Sequence, residues 1–249
     1  MKSLMHVLAI GNQKGGVAKT TTAAVVGMLL SRAGHRVHLI DMDPQASLTS
    51  TFGRRDKDGY LYYAMSQHKP LPVVQLEERL TLTPSSIDLG KGETEFMAEH
   101  GREFILKSCL ERTDLPAGAL VIIDCPPSLG VLAVNCLTAA ESLVVTVQPG
   151  GFELRALVHL QETVQLLKER INPPLSIIGA VMTNVNPRRT MTGVVAQEVG
   201  RLYPILGTVR SDAHLLGATT EGNLLELRKC NALEDYETVA KNLMETMHL

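Results

Sequence analysis

The chain has no tryptophan, 4% aromatic residues and only four cysteines among its 249 residues. No apolar run approaches the roughly 20 residues that cross a bilayer, so the sequence predicts no transmembrane helix. Met1-Lys2-Ser3 leads straight into an apolar run, which leaves no room for a cleaved secretory signal. Cys109, Cys125, Cys136 and Cys230 form no C-x-x-C pair and no cluster with histidine. That excludes the usual zinc-site and iron–sulfur spacings and fits idle thiols in a reducing cytoplasm. Charge of one sign is also missing. A net charge of −2 argues against coating nucleic acid with the whole surface, although a local basic face stays possible.

What is present is the composition of an ordinary soluble domain, with 45% apolar and 20% charged residues. The length suits a single α/β domain over residues 1–249, since such domains run to about 250 residues. β-rich runs alternate with helical patterns almost throughout, which predicts βαβ units and a mostly parallel sheet flanked by helices. The β-rich runs are residues 4–10, 36–40, 80–83, 119–123, 143–147 and 177–182. Three of them, at 119–123, 143–147 and 177–182, are continuous apolar runs, the signature of strands buried on both faces. Leu157, Leu160, Val164 and Leu167 recur at helical spacing, as do Leu233, Tyr236, Ala240, Leu243 and Met247, and both stripes read as core. Residues 44–92 are less regular, interrupted by Pro70, Pro72 and Pro84. Residues 93–112 read as helix with a break near Gly101. There is no internal repeat or linker.

Lys14-Gly15-Gly16-Val17-Ala18-Lys19-Thr20-Thr21 lies between the first strand and a helical run. Strand, Gly-containing loop, Lys-Thr and helix is the arrangement that binds nucleotide phosphates. Loop amides and the free N–H groups at the helix start converge on the anion, and the helix dipole assists. Lys19 then reaches the terminal phosphates and the Thr20 hydroxyl serves Mg²⁺. The ordinary G-x-x-x-x-G-K-[ST] pattern is not met, because Gln13 and Ala18 occupy its glycine positions. K-G-G-x-x-K-T is met instead.

Two acidic groups follow strands. Asp124 closes the 119–123 run and precedes Cys125-Pro126-Pro127-Ser128; a carboxylate there, beside a phosphate loop, can hold Mg²⁺. Asp41 and Asp43 stand in Asp41-Met42-Asp43-Pro44-Gln45. A carboxylate near a γ-phosphate repels the anion, so Mg²⁺ and Lys19 must neutralise the site. Thr183-Asn184-Val185-Asn186 follows another strand, and the amide of Asn184 can both donate to and accept from an adenine edge.

The loop, the D-x-D-P-Q segment and Ile-Ile-Asp-Cys-Pro-Pro-Ser together resemble the ParA/MinD family of deviant Walker A P-loop ATPases, in the short ParA (Soj-like) form without an N-terminal helix-turn-helix. The resemblance runs from Leu4 to about Leu243 and is weakest over 50–118. It implies that Lys14 crosses a dimer interface to the partner's phosphates, that Asp43 positions or deprotonates the attacking water, and that Asp41 helps organise the metal and its waters. Ala18 stands where most members carry glycine; the negative φ of a helix start would accommodate its methyl.

The resemblance further implies an ATP- and Mg²⁺-dependent homodimer with slow turnover, stimulated by a ParB-like or other adaptor. Such a dimer binds duplex DNA without sequence preference, is cytoplasmic and nucleoid-associated, and positions a plasmid, a chromosome locus or a protein assembly. Arg188, Arg189, Arg210 and Arg228 are the expected DNA contacts. The chain end, Lys241 to Leu249, has one lysine and no aromatic anchor, which fits a MinD-like membrane helix poorly. A metabolic relative such as an amidoligase stays open, although no carboxylate-substrate motif is found. An iron-protein relative would need cysteines at the dimer axis, which this spacing does not supply.

Overall fold

The most apolar runs of the sequence become the centre of one sheet. In the computed structural model, which describes residues 5–54, 60–149, 153–186 and 190–249, the strands are β1 (His6–Gly11), β2 (Val37–Asp41), β3 (Val74–Glu77), β4 (Leu80–Thr83), β5 (Leu120–Asp124), β6 (Ser142–Val147), β7 (Ser176–Val185) and β8 (Ile205–Arg210). Their spatial order is β3-β4-β2-β5-β1-β6-β7-β8. All neighbours pair in parallel except β3 with β4. The expected α/β class with a mostly parallel sheet is therefore what forms. The antiparallel edge strand β3 was not legible, and neither was β8.

The helices are α1 (Lys19–Arg32), α2 (Ser47–Thr51), α3 (Tyr60–Ser66), α4 (Gly92–Glu95), α5 (Ile105–Arg112), α6 (Val131–Ala139), α7 (Glu153–Arg170), α8 (Thr190–Leu202), α9 (Ala213–Glu221) and α10 (Asn231–Met247). The expected break in 93–112 is present. Gly101 adopts a positive φ of 68° and separates α4 and a 3₁₀ turn at Phe96–Ala98 from a second turn at Arg102–Phe104 that leads into α5.

Side chains of β1 alternate between two cores, as the period of a strand requires. Leu8 and Ile10 face a core shared with α1 and α10, whereas Val7 and Ala9 face one shared with α3, α5, α6 and α7. Each fully buried Leu, Ile or Val contributes about 1.5–3 kcal/mol of transfer free energy. The predicted stripes are core: Leu157, Leu160, Val164 and Leu167 on α7 and Leu233, Tyr236, Ala240 and Leu243 on α10 are buried, and Met247 is half-buried against the same core.

Helix α1 is buried almost all round because it lies between the sheet and α10. Gly27 allows this approach: a Cβ there would sit 2.6 Å from Leu39 Cδ2. On the far side the Thr22 hydroxyl meets the Tyr236 hydroxyl at 2.9 Å. The start of α1, and with it the phosphate loop, is thus fixed from two directions at the carboxyl edge of the central strands. Ligands of open α/β sheets bind along that edge.

Candidate nucleotide site

The loop after β1 is tied down by its own side chains. Asn12 donates from Nδ2 to the Thr146 carbonyl on β6 at 2.6 Å and accepts the Lys14 N–H on Oδ1 at 3.0 Å. The Thr183 hydroxyl donates to the Val17 carbonyl at 3.1 Å, so β7 braces the loop as well. Gly15 and Gly16 are exposed, and Gly16 has φ +74°, which suits a residue without Cβ. Lys19 is only 6% exposed, and its Nζ donates to the Lys14 carbonyl at 3.0 Å. Burial lowers its pKa, and the nearby Asp124, Cys125 and Asp43 oppose that shift. The Lys14 side chain, in contrast, is exposed.

One expectation is corrected here. Ala18 does not have the negative φ of a helix start; it lies at φ +58°, ψ +31°, in the left-handed region. The chain needs that turn to enter α1 from Gly16, so the alanine carries backbone strain that glycine would avoid.

Asp41 and Asp124 are register partners on β2 and β5, and both are fully buried. Asp124 Oδ1 and Oδ2 reach no hydrogen-bond partner at normal geometry. Burial pushes the Asp124 pKa well up and the Asp41 charge adds to this, while the Thr20 hydroxyl and the Lys19 ammonium oppose it. Two orphaned carboxylate oxygens beside Thr20 fit a divalent cation and its waters, because a buried charge without a partner is otherwise costly.

Asp41 is different. Oδ2 accepts from Thr49 N at 2.8 Å and from Thr49 Oγ1 at 2.7 Å, and Oδ1 accepts from Asp43 N at 3.2 Å. Burial raises its pKa to about 6 against those hydrogen bonds. With its oxygens taken by protein donors, Asp41 organises the loop that carries Asp43.

Asp43 lines a cavity of about 550 Å³ together with Gly15, Gly16, Ala18, Lys19, Thr20, Thr21 and Asn184. The phosphate loop, the D-x-D-P-Q segment and the residue expected at the adenine are thus brought to one hollow. Asn184 stands in it at φ +51°, its amide donating to Gln148 Oε1 at 3.3 Å. The rest of the wall was not foreseen. Ser47, Ser50 and Thr51 come from α2, and Arg210, Asp212, Leu215, Leu216, Thr219 and Thr220 from the end of β8 and from α9. Asp212 caps α9, accepting from the N–H groups of His214 and Leu215, a signal present in the Ser-Asp before that helix.

Of the expected DNA contacts, Arg188 and Arg189 lie outside the described residues, and Arg228 is exposed. Arg210 lines the cavity and is bonded through Nε and Nη2 to the Asp235 carboxylate, each at 2.8 Å. A charge expected to meet DNA phosphate is therefore paired with a carboxylate in this fold, although the Arg210 side chain is 44% exposed. All four cysteines are buried and free, and no metal-binding cluster occurs among the described residues.

A family model described as an AAA domain matches residues 5–177. The sporulation initiation inhibitor protein Soj of Bacillus subtilis is 36% identical over 202 residues, 79% of each chain. The chromosome partitioning protein ParA of Caulobacter vibrioides is 38% identical over 202 residues, 78% of this chain and 75% of that protein. Among solved structures, cobyrinic acid a,c-diamide synthase from Mycobacterium smegmatis, with a bound ATP analogue and magnesium, superposes with a TM-score of 0.85 at 33% identity. That match covers 98% of this chain and 96% of the other. The protein belongs to the ParA/MinD family of P-loop ATPases with a deviant Walker A loop.

Proposed function

We propose that the protein is an ATP-driven positioning switch: ATP closes two copies face to face, the closed dimer holds duplex DNA without sequence preference, and hydrolysis releases it. ATP binding with Mg²⁺ and P-loop hydrolysis are the general activity of the family. The observation that carries the further step is the division between the two loop lysines. Lys19 is buried and folded back on its own loop, where it neutralises the phosphates of its own subunit. Lys14 begins the loop with its backbone N–H held by Asn12 and the residue exposed, which supports a role on the partner's nucleotide. Two such lysines bury phosphate charge favourably only when both subunits close, so loss of the γ-phosphate opens the dimer.

Thr20 and Asp124 would hold the Mg²⁺, which supplies charge neutralisation at the phosphate oxygens. Asp43, fixed at the cavity rim, orients or deprotonates the attacking water. Asn184 receives the adenine, and Gly15 to Thr21 cradle the phosphates. Turnover is slow until a ParB-like or other adaptor stimulates it.

Relatives named for chromosome partitioning support DNA as the surface held. Arg188, Arg189 and Arg228 are the basic contacts, with Arg210 contributing what Asp235 leaves of its charge. Helix α10 spends its apolar stripe on the core, which supports DNA over a membrane surface as the partner.

A second reading, an amidoligase, is favoured by the likeness to the Mycobacterium smegmatis synthase. ATP turnover with and without duplex DNA, together with ATP-dependent DNA retention, separates the two. A positioning switch retains DNA only with ATP and releases it as ADP forms. Turnover indifferent to DNA, with no retention at low salt, overturns the proposal.

A further inference from the structure

Asp43 is held in place by a residue far from it in sequence. Its backbone N–H donates to Asp41 Oδ1 at 3.2 Å, and its Oδ1 accepts the Gln45 N–H at 2.9 Å. Its carbonyl accepts both the Ala46 N–H at 2.9 Å and the Ser85 hydroxyl at 2.8 Å. Three of these four bonds are local. Among the described residues, Ser85, just beyond the end of β4, is the one sequence-distant partner of Asp43, and it ties the turn to a second strand besides β2.

Ser85 is itself fixed. It is fully buried, and its N–H donates to Thr49 Oγ1 at 2.9 Å. The same Thr49 hydroxyl donates to Asp41 Oδ2 at 2.7 Å, and Thr49 is 1% exposed. Ser85, Thr49, Asp41 and Asp43 thus close a ring of hydrogen bonds that begins and ends on the D-x-D segment. Every member is satisfied by another, so the ring favours a single geometry. Among the described residues, Asp43 Oδ2 accepts no protein donor, so the ring fixes one carboxylate oxygen and leaves the other for water.

We propose that Ser85 is a positioning residue for hydrolysis, acting through its bond to the Asp43 carbonyl, with Thr49 holding Ser85 in register. This rests on the reading of Asp43 as the residue that orients water. Ser85 lines neither the phosphate loop nor the nucleotide cavity. Its loss should therefore leave ATP binding intact and slow only the step that needs Asp43 in place. A displacement of about 1 Å at such a group costs up to 100-fold in rate, and loss of one of four tethers should cost about tenfold.

The test uses the full chain with ATP and Mg²⁺, with folding followed by thermal melting. Ser85→Ala should lower kcat about tenfold with KM for ATP within twofold of the parent. Thr49→Ser keeps the hydroxyl and should retain most of the rate, whereas Thr49→Val, close in volume but without it, should repeat the loss. If Ser85→Ala fails to fold, the Thr49→Val against Thr49→Ser comparison carries the test alone.

The decisive arm is the double variant. In an Asp43→Ala background, removing the Ser85 hydroxyl should change residual hydrolysis by less than twofold. A full tenfold loss in that background, or a parallel rise in KM, would show that Ser85 acts elsewhere and overturns the assignment. Native turnover by Asp43→Ala alone would remove the reading on which the proposal rests. Native kcat in a folded Ser85→Ala would remove the proposal while leaving that reading in place.

Discussion

Asp41 and Asp124 lie side by side at the ends of adjacent parallel strands, both fully buried, yet their hydrogen bonding is opposite. Asp41 accepts three hydrogen bonds, and Asp124 accepts none at normal geometry. The pair divides one task. Asp41 builds the loop that carries Asp43, and the Asp124 oxygens stay unpaired beside Thr20, as the proposed Mg²⁺ site requires.

An unsatisfied buried carboxylate costs stability until its ligand arrives, so Asp124→Asn should stabilise the nucleotide-free protein by about 1–3 kcal/mol near pH 8. The sign follows from the raised pKa. A carboxyl held above its unfolded value adds stability at low pH, and that contribution is lost as pH rises from the ordinary carboxylate range, about 4, through the folded value. Thermal melts across pH 4–8 should show the parent losing stability relative to Asp124→Asn as pH rises. Saturating Mg²⁺ and ATP should then stabilise the parent far more than the variant, which should not hydrolyse ATP. A variant less stable than the parent in chelator at pH 8 contradicts the account.

Ala18 at φ +58° predicts a gain from glycine. Relief of left-handed strain is worth about 1–2 kcal/mol, and the extra freedom of the unfolded chain takes back about 0.4–1 kcal/mol. Ala18→Gly should therefore raise stability by about 0.5–1 kcal/mol in urea melts, with unchanged slope. A loss of more than 1 kcal/mol would place that residue in a different conformation.

Arg210 and Arg228 should behave differently. Arg228→Glu should weaken DNA retention and make it less steep in salt, by about one unit of slope for each phosphate that the arginine had neutralised. It should leave melting and ATP affinity unchanged. Arg210→Ala breaks the bidentate pair with Asp235 in the cavity wall, so it should lower the melting temperature and raise KM for ATP. Equal effects of both variants on DNA alone would return Arg210 to the DNA face.

The contrast between what the sequence disclosed and what it hid has a physical basis. β5 and β6 were legible because a strand buried on both faces must be apolar without interruption, and Leu120–Ile123 and Leu143–Val145 are. The family was legible in the phosphate-loop sequence and in the segments around Asp124 and Asp43, because phosphate and metal chemistry restricts both residue type and spacing. β3 was hidden because a half-exposed edge strand, Val74-Gln75-Leu76-Glu77, needs no such pattern. Thr49 and Ser85 were hidden because their partnership spans 36 residues and neither type is rare. The sign of φ at Ala18 was hidden because it is set by the turn from Gly16, which side-chain identity does not disclose.

The central claim is that Lys14 acts on the nucleotide of a second copy. Its most direct test is sedimentation of Asp43→Ala with Mg²⁺ and ATP, with and without Lys14→Ala. The account predicts dimers for Asp43→Ala and monomers of unimpaired fold once Lys14 is also removed. Dimers of equal stability in both proteins would contradict it.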